Sequence, residues 1–243
     1  MEKPSLLSFA ATMIRVRGFA LVASAASSAA LTRVVVLHGK GGCGASMAAK
    51  FEPIIKALPE CEFEFACAPH LTGAGSYAWW TLPPGVRSFE AARYEGWERS
   101  MTVLRGYEHA DVFWGHSQGA ILLAACAARA AVGESDEWLR SKRFVVNGAS
   151  WPAPFEKALL DALASREAGA SPPLDALHVL GLADQVNPPE HAQRIADCLG
   201  GQLFAHDGGH YVPTDVAAVA RYRSFLLSRE KEPQQPARAA GGG

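Results

Sequence analysis

Six short apolar runs recur along the chain, each bounded by polar or glycine-rich positions and separated by longer stretches with helical spacing of their apolar residues. The runs Arg33–His38, Glu62–Ala68, His109–Trp114, Arg143–Asn147, Ala176–Gly181 and Gly201–His206 carry many β-branched and aromatic residues and predict strands. Unbroken runs such as Val34–Leu37 and Phe144–Val146 fit strands buried on both faces, as in a parallel sheet. Helices are predicted near Ser46–Leu58, Phe89–Leu104, Gln118–Ala131, Pro154–Ala164, Pro189–Leu199 and Thr214–Leu227, the last introduced by Pro213. This alternation predicts an α/β fold with a mostly parallel sheet of about six strands flanked by helices. No repeat and no dividing linker interrupts residues 31–229, which are read as one domain.

The two ends read differently. Residues 1–30 combine Arg15 and Arg17 with many alanines and serines and a single acid, Glu2. That bias fits a transit peptide or a disordered extension, and the arginines and serines break the run of about 20 apolar residues that a membrane span needs. The expected location is the cytoplasm, or a plastid or mitochondrion if the extension is a transit peptide. Residues 230–243 are polar and rich in proline and glycine, which predicts a disordered tail.

Lys and Arg number 23 against 24 Asp and Glu, so nothing in the charge balance recruits nucleic acid. The five cysteines are scattered and lack C-x-x-C spacing, which argues against a disulfide framework or a zinc site and for reduced thiols. No metal or organic cofactor is expected, and the partner expected is a small molecule. The connection Pro69–Glu108 is the longest, and connections of this length commonly cover a ligand site. Its aromatics (Tyr77, Trp79, Trp80, Phe89, Trp97) are each read first as packing residues.

Gly115-His116-Ser117-Gln118-Gly119 fits G-x-S-x-G, with a strand pattern before it and a helix pattern after it. Strand, sharp turn and helix are the setting of a nucleophile elbow, which makes Ser117 the candidate nucleophile. The turn leaves the Gln118 backbone N–H at a helix N-terminus, where it can stabilise an oxyanion. A serine hydroxyl needs a base and an orienting carboxylate, and with such an elbow the chain order is Ser, acid, His. His210, on the glycine loop after the last strand, is preferred as base over His206. His178 lies inside a strand and His191 in a first helical turn. Asp184 follows the C-terminal end of its strand and is preferred as acid; Asp175 lies at the wrong edge, Asp207 suits a local turn and Asp215 suits a helix cap. The glycine-rich loop after the first strand, Leu37–Gly42, is placed to give a second oxyanion N–H from Lys40. It lacks the spacing of a phosphate-binding loop.

Together these segments resemble the FSH family of serine hydrolases, within the α/β-hydrolase superfamily. The resemblance runs from about Arg33 to Leu227 and rests on LHG at 37–39, APH at 68–70, Trp79-Trp80, GHSQGA at 115–120, GLADQVNPP at 181–189 and DGGHYVP at 207–213. It implies a triad of Ser117, Asp184 and His210, a six-stranded parallel sheet and carboxylesterase activity on acyl esters. Two positions depart from the family pattern: His116 replaces an aromatic residue before the nucleophile, and Cys67 an acid before APH. Candidate pocket residues are His38, His116, Trp79, Trp80 and Tyr211. With no large cap domain in the pattern, short or medium acyl chains are expected. An acyl-protein thioesterase or lysophospholipase, and a catalytically silent binding module, stand as the alternatives.

Overall fold

The computed structural model describes residues 14–17, 31–134 and 137–228. Its main sheet has seven strands: β1 (Ile14–Arg17), β2 (Thr32–Leu37), β3 (Cys61–Ala66), β6 (Val112–His116), β7 (Arg143–Asn147), β8 (Ala176–Gly181) and β9 (Gln202–His206). They lie in the order β1-β3-β2-β6-β7-β8-β9. The six strands from β2 onward are parallel and correspond to the six apolar runs. β1 adds an antiparallel edge, with Ile14 opposite Phe65 and Arg17 opposite Glu62. This strand sits in the segment read as an extension, because four alternating residues do not stand out from their alanine- and serine-rich flanks. The rest of that extension and the expected tail lie outside the described residues.

Successive side chains of a strand face opposite ways, so the runs feed two cores. Val34 and Val36 face one core with Phe51 of α1 (Gly44–Ala57) and Tyr222 of α6 (Val216–Leu227). Val35 and Leu37 face the other, with Met101 of α2 (Trp97–Arg105), Ile121 of α3 (Gln118–Ala131), Leu159 of α4 (Glu156–Glu167) and Ile195 of α5 (Pro189–Leu199). Burial on both faces is why β2, β6, β7 and β8 show no polar alternation. Asp215 caps α6 by accepting from the Ala218 N–H at 3.0 Å, the role its position had indicated.

The long connection differs most from expectation. It opens with a hairpin, β4 (His70–Gly73) against β5 (Ser76–Ala78), and α2 begins only at Trp97 instead of near Phe89. Gly96 stops the helix from extending backwards: its φ is +81°, and a Cβ there would lie 2.2 Å from the His70 ring. His70 Nε2 is 2.9 Å from the Gly96 carbonyl oxygen. Residues 79–96 therefore form a strap held by aromatic packing, with the Trp80 and Tyr94 rings stacked at 4.1 Å. No helix among the described residues is long and apolar enough to cross a membrane.

The chain leaves β2 to one side for β3 and later crosses to the other side for β6. The loops after β2 and β6 thus diverge at a topological switch point, the usual position of a site in a parallel sheet.

Candidate active site

Ser117 sits between the last residue of β6 and the first of α3 with φ 54° and ψ −118°. It is the sole non-glycine with positive φ among the described residues. Such a conformation costs on the order of 1–3 kcal/mol and persists only where the surroundings enforce it. Here they do: the Ser117 N–H donates to the Asn147 carbonyl at 3.0 Å, and the Ser117 carbonyl accepts from the Ile121 N–H at 2.9 Å. The flanking glycines are dictated by backbone approach. A Cβ on Gly115 would lie 2.5 Å from the Ala120 nitrogen, and one on Gly119 would lie 2.6 Å from the Leu37 carbonyl oxygen.

Asp184 and His210 come from the loops after β8 and β9 and meet at 2.6 Å between Oδ2 and Nδ1. The other carboxylate oxygen of Asp184 accepts the Val186 and Asn187 N–H groups at 2.8 and 2.9 Å, which fixes its orientation. Asn187 Nδ2 ties the same loop to the Gly148 carbonyl at 2.7 Å. The two loops are also joined through their backbones, Leu182 N–H to the His206 carbonyl and Ala183 N–H to the Gly208 carbonyl. Gly181 makes this approach possible, since a Cβ there would lie 2.4 Å from the Gly209 carbonyl oxygen. His206, the second candidate base, is turned back on its own loop, where its Nδ1 accepts the Gly208 N–H at 3.2 Å.

The His210 ring packs beside His116, with centroids 5.0 Å apart, and so lies against the elbow. The Ser117 hydroxyl is not hydrogen-bonded to it in this structure. His116 itself is buried, and its Nδ1 is 2.7 Å from Asn147 Oδ1. Burial, more than the neighbouring His210, pushes His116 down to about 4.

The Lys40 and Gln118 backbone N–H groups, on the loops either side of the switch point, donate to no backbone carbonyl among the described residues. The Gln118 side chain has a task that the sequence pattern did not disclose. Its Oε1 accepts the Trp79 N–H at 2.8 Å and its Nε2 donates to the Trp80 carbonyl at 2.9 Å, clamping the strap to the elbow helix. Gln118→Ala would leave a buried N–H and a buried carbonyl unpaired, a cost of about 2–4 kcal/mol. A urea titration is expected to show that loss, and ester kinetics a raised KM as the strap loosens.

A cavity of about 320 Å³ opens at Ser117 and Gln118. Its remaining wall comes from the strap (Trp80, Leu82, Val86, Arg87, Ser88), from Lys40, from Ile121 and from the acid loop at Gln185, Val186 and Asn187. Of the five residues expected in the pocket, only Trp80 is in the wall. Trp79 is fully buried, and its Nε1 donates to the His38 carbonyl at 2.8 Å. His38 is likewise buried; its Nε2 accepts the Ala68 N–H at 3.0 Å while Nδ1 sits 2.7 Å from the Gly39 carbonyl oxygen. It braces the glycine loop against the end of β3 instead of meeting a ligand. Tyr211 is half exposed and turned toward His206, and His116 packs on His210 and Asn147. Asp184 and His210 are also outside the wall. Leu82, Val86, Arg87, Gln185 and Val186 went unnoticed because strap and loop residues carry no periodicity; the length of the connection was the one available signal.

The architecture is shared with esterases and thioesterases of known structure. Zea mays acyl-protein thioesterase 2 superposes with a TM-score of 0.58 at 19% identity, over 90% of this chain and 100% of that one. Esterase PE8 gives 0.57 at 20% identity, over 89% and 97%. These place the chain in the α/β-hydrolase fold. The family model described as serine hydrolase (FSH1) matches residues 27–222, and the chain belongs to that family. Its relatives include esterase OVCA2 of Danio rerio, 27% identical over 230 residues that span 82% of this chain and 98% of that protein. Esterase C25G4.2 of Caenorhabditis elegans is 29% identical over 206 residues, 77% and 89% of the two chains. The protein is, by that family, a serine hydrolase.

Proposed function

We propose that this hydrolase is a carboxylesterase that cleaves short-to-medium acyl esters through Ser117, His210 and Asp184, by way of an acyl-enzyme. The 2.6 Å contact between Asp184 and His210, beside a strained serine elbow, carries the reading. With Nδ1 committed to Asp184, only His210 Nε2 is left to act as a base. It takes the Ser117 proton as Oγ attacks the ester carbonyl. The oxyanion is held by the Gln118 and Lys40 N–H groups, the first of them at the positive end of α3. Collapse breaks the bond to the alcohol, which leaves with the proton from His210. Water, deprotonated by the same imidazole, then releases the acid. The open Ser117–His210 hydrogen bond accords with this, since such contacts often tighten only once substrate is bound.

The cavity lies near the lower end of the roughly 300–1,000 Å³ typical of ligand sites, which favours modest acyl chains. The test pairs a fluorophosphonate probe with 4-nitrophenyl esters from acetate to palmitate. Stoichiometric labelling is expected, with kcat/KM greatest between butyrate and decanoate. Folded protein that stays unlabelled at neutral pH would overturn the nucleophile; kcat/KM still rising at palmitate would overturn the chain length.

A further inference from the structure

We propose that the cavity selects esters bearing a second, ionised carboxylate, and that Arg87 is the residue that reads it. This deepens the reading above and rests on Ser117 being the nucleophile. The first observation is the charge of the wall: it contains two cations, Lys40 and Arg87, and no Asp or Glu. The chain as a whole has a net charge of −1, so this sign is local to the cavity. Neither cation belongs to any ion pair among the described residues. Glu90, three residues along the chain, accepts the backbone N–H of Arg87 at 3.2 Å.

The second observation is how the guanidinium is held. One terminal nitrogen of Arg87 donates to the Val186 carbonyl, and the group lies over the Phe89 ring, 5.1 Å from its centroid. Bond and ring fix the planar head at the junction of strap and acid loop, and its other N–H groups have no partner among the described residues. A guanidinium so held is arranged for two-point recognition of a carboxylate. The third is the apolar part of the same wall, which Leu82, Val86, Ile121 and Val186 supply. An acyl chain with its carbonyl at Ser117 and an anionic far end suits a wall so composed, methylenes on the apolar part and the carboxylate at Arg87. Lys40 adds a second positive charge to the same wall.

The rival role for Arg87 is a latch that only fastens the strap to the acid loop. A latch acts on every substrate alike, whereas recognition changes the ratio between charged and neutral ones. The experiment compares the 4-nitrophenyl hemi-ester of adipic acid with its methyl-capped counterpart, equal in acyl length and uncharged. Adipate is chosen because shorter hemi-esters cyclise unaided. Wild-type protein is expected to prefer the charged ester about tenfold in kcat/KM, an advantage that shrinks in molar salt as the exposed cations are screened. Arg87→Met is expected to abolish that ratio and Arg87→Lys to keep part of it. A ratio of one or less in wild type, or the same ratio in Arg87→Met, overturns the assignment. Turnover of the capped ester without a charge preference removes only this inference. No turnover of either ester, with no fluorophosphonate labelling, removes the nucleophile as well.

Discussion

Ser117→Ala is expected to lower kcat for ester hydrolysis by roughly 10⁴–10⁶-fold and to abolish fluorophosphonate labelling, with thermal unfolding nearly unchanged. The hydroxyl has no hydrogen-bond partner among the described residues, so its loss leaves no buried group unpaired. The positive φ is imposed by the contacts of Asn147 and Ile121 with the backbone, which alanine keeps. Asp184→Asn separates orientation from nucleophilicity. The asparagine oxygen can still accept from the Val186 and Asn187 N–H groups, but its amide then faces His210 Nδ1 as a donor. That favours the tautomer with the proton on Nε2, which cannot serve as the base, and a loss of about 10⁴-fold in kcat is expected with KM little changed. Stopped-flow burst kinetics and calorimetry check the pair together. A Ser117→Ala protein that retains a tenth of its turnover would remove the triad.

The second large effect is on stability in acid. Burial pushes both His116 and His178 down to about 4, from the ordinary imidazole value of 6.5. His178 is fully buried within β8, with Nε2 2.9 Å from the Gly200 carbonyl oxygen. In the unfolded chain each imidazole gains its proton as pH falls through about 6.5, whereas in the fold each stays neutral until about 4. The unfolded state therefore binds more protons across that window, and stability falls as pH falls. Each group accounts for on the order of 3 kcal/mol by pH 4. Together they consume much of the roughly 5–15 kcal/mol that holds a domain folded. His38, His191 and His206 are also lowered by burial and add in the same direction. Urea titrations at neutral pH, mid-window and pH 4 are expected to show a steadily falling midpoint at constant m. A midpoint flat across the window would mean that both imidazoles take up protons inside the fold as readily as outside it.

The strands, the elbow and the order of the three catalytic candidates were legible because each is a local property of the chain. Buried parallel strands need continuous apolar residues; the elbow needs glycines where an added Cβ would lie within 2.6 Å of neighbouring backbone; the acid and base need to follow strand ends. The strap was misread for the opposite reason. Its conformation is set by Gly96 against His70 and by Gln118 on Trp79 and Trp80, partners 26 to 39 residues apart. The edge strand β1 escaped notice because its register comes from β3, almost fifty residues downstream. His38 and Trp79 looked like pocket residues, being polar or aromatic next to the right motifs, yet their hydrogen bonds turn them into the core.

By itself, then, the sequence determined the α/β class and the parallel strands and singled out the serine, acid and histidine proposed for the chemistry, since patterning and turn requirements are written residue by residue. Only the tertiary structure decided which side chains meet the cavity, that Arg87 and Lys40 face it without an acid, and that Gln118 holds the strap. Those facts depend on distances between distant segments, and no local pattern encodes a distance.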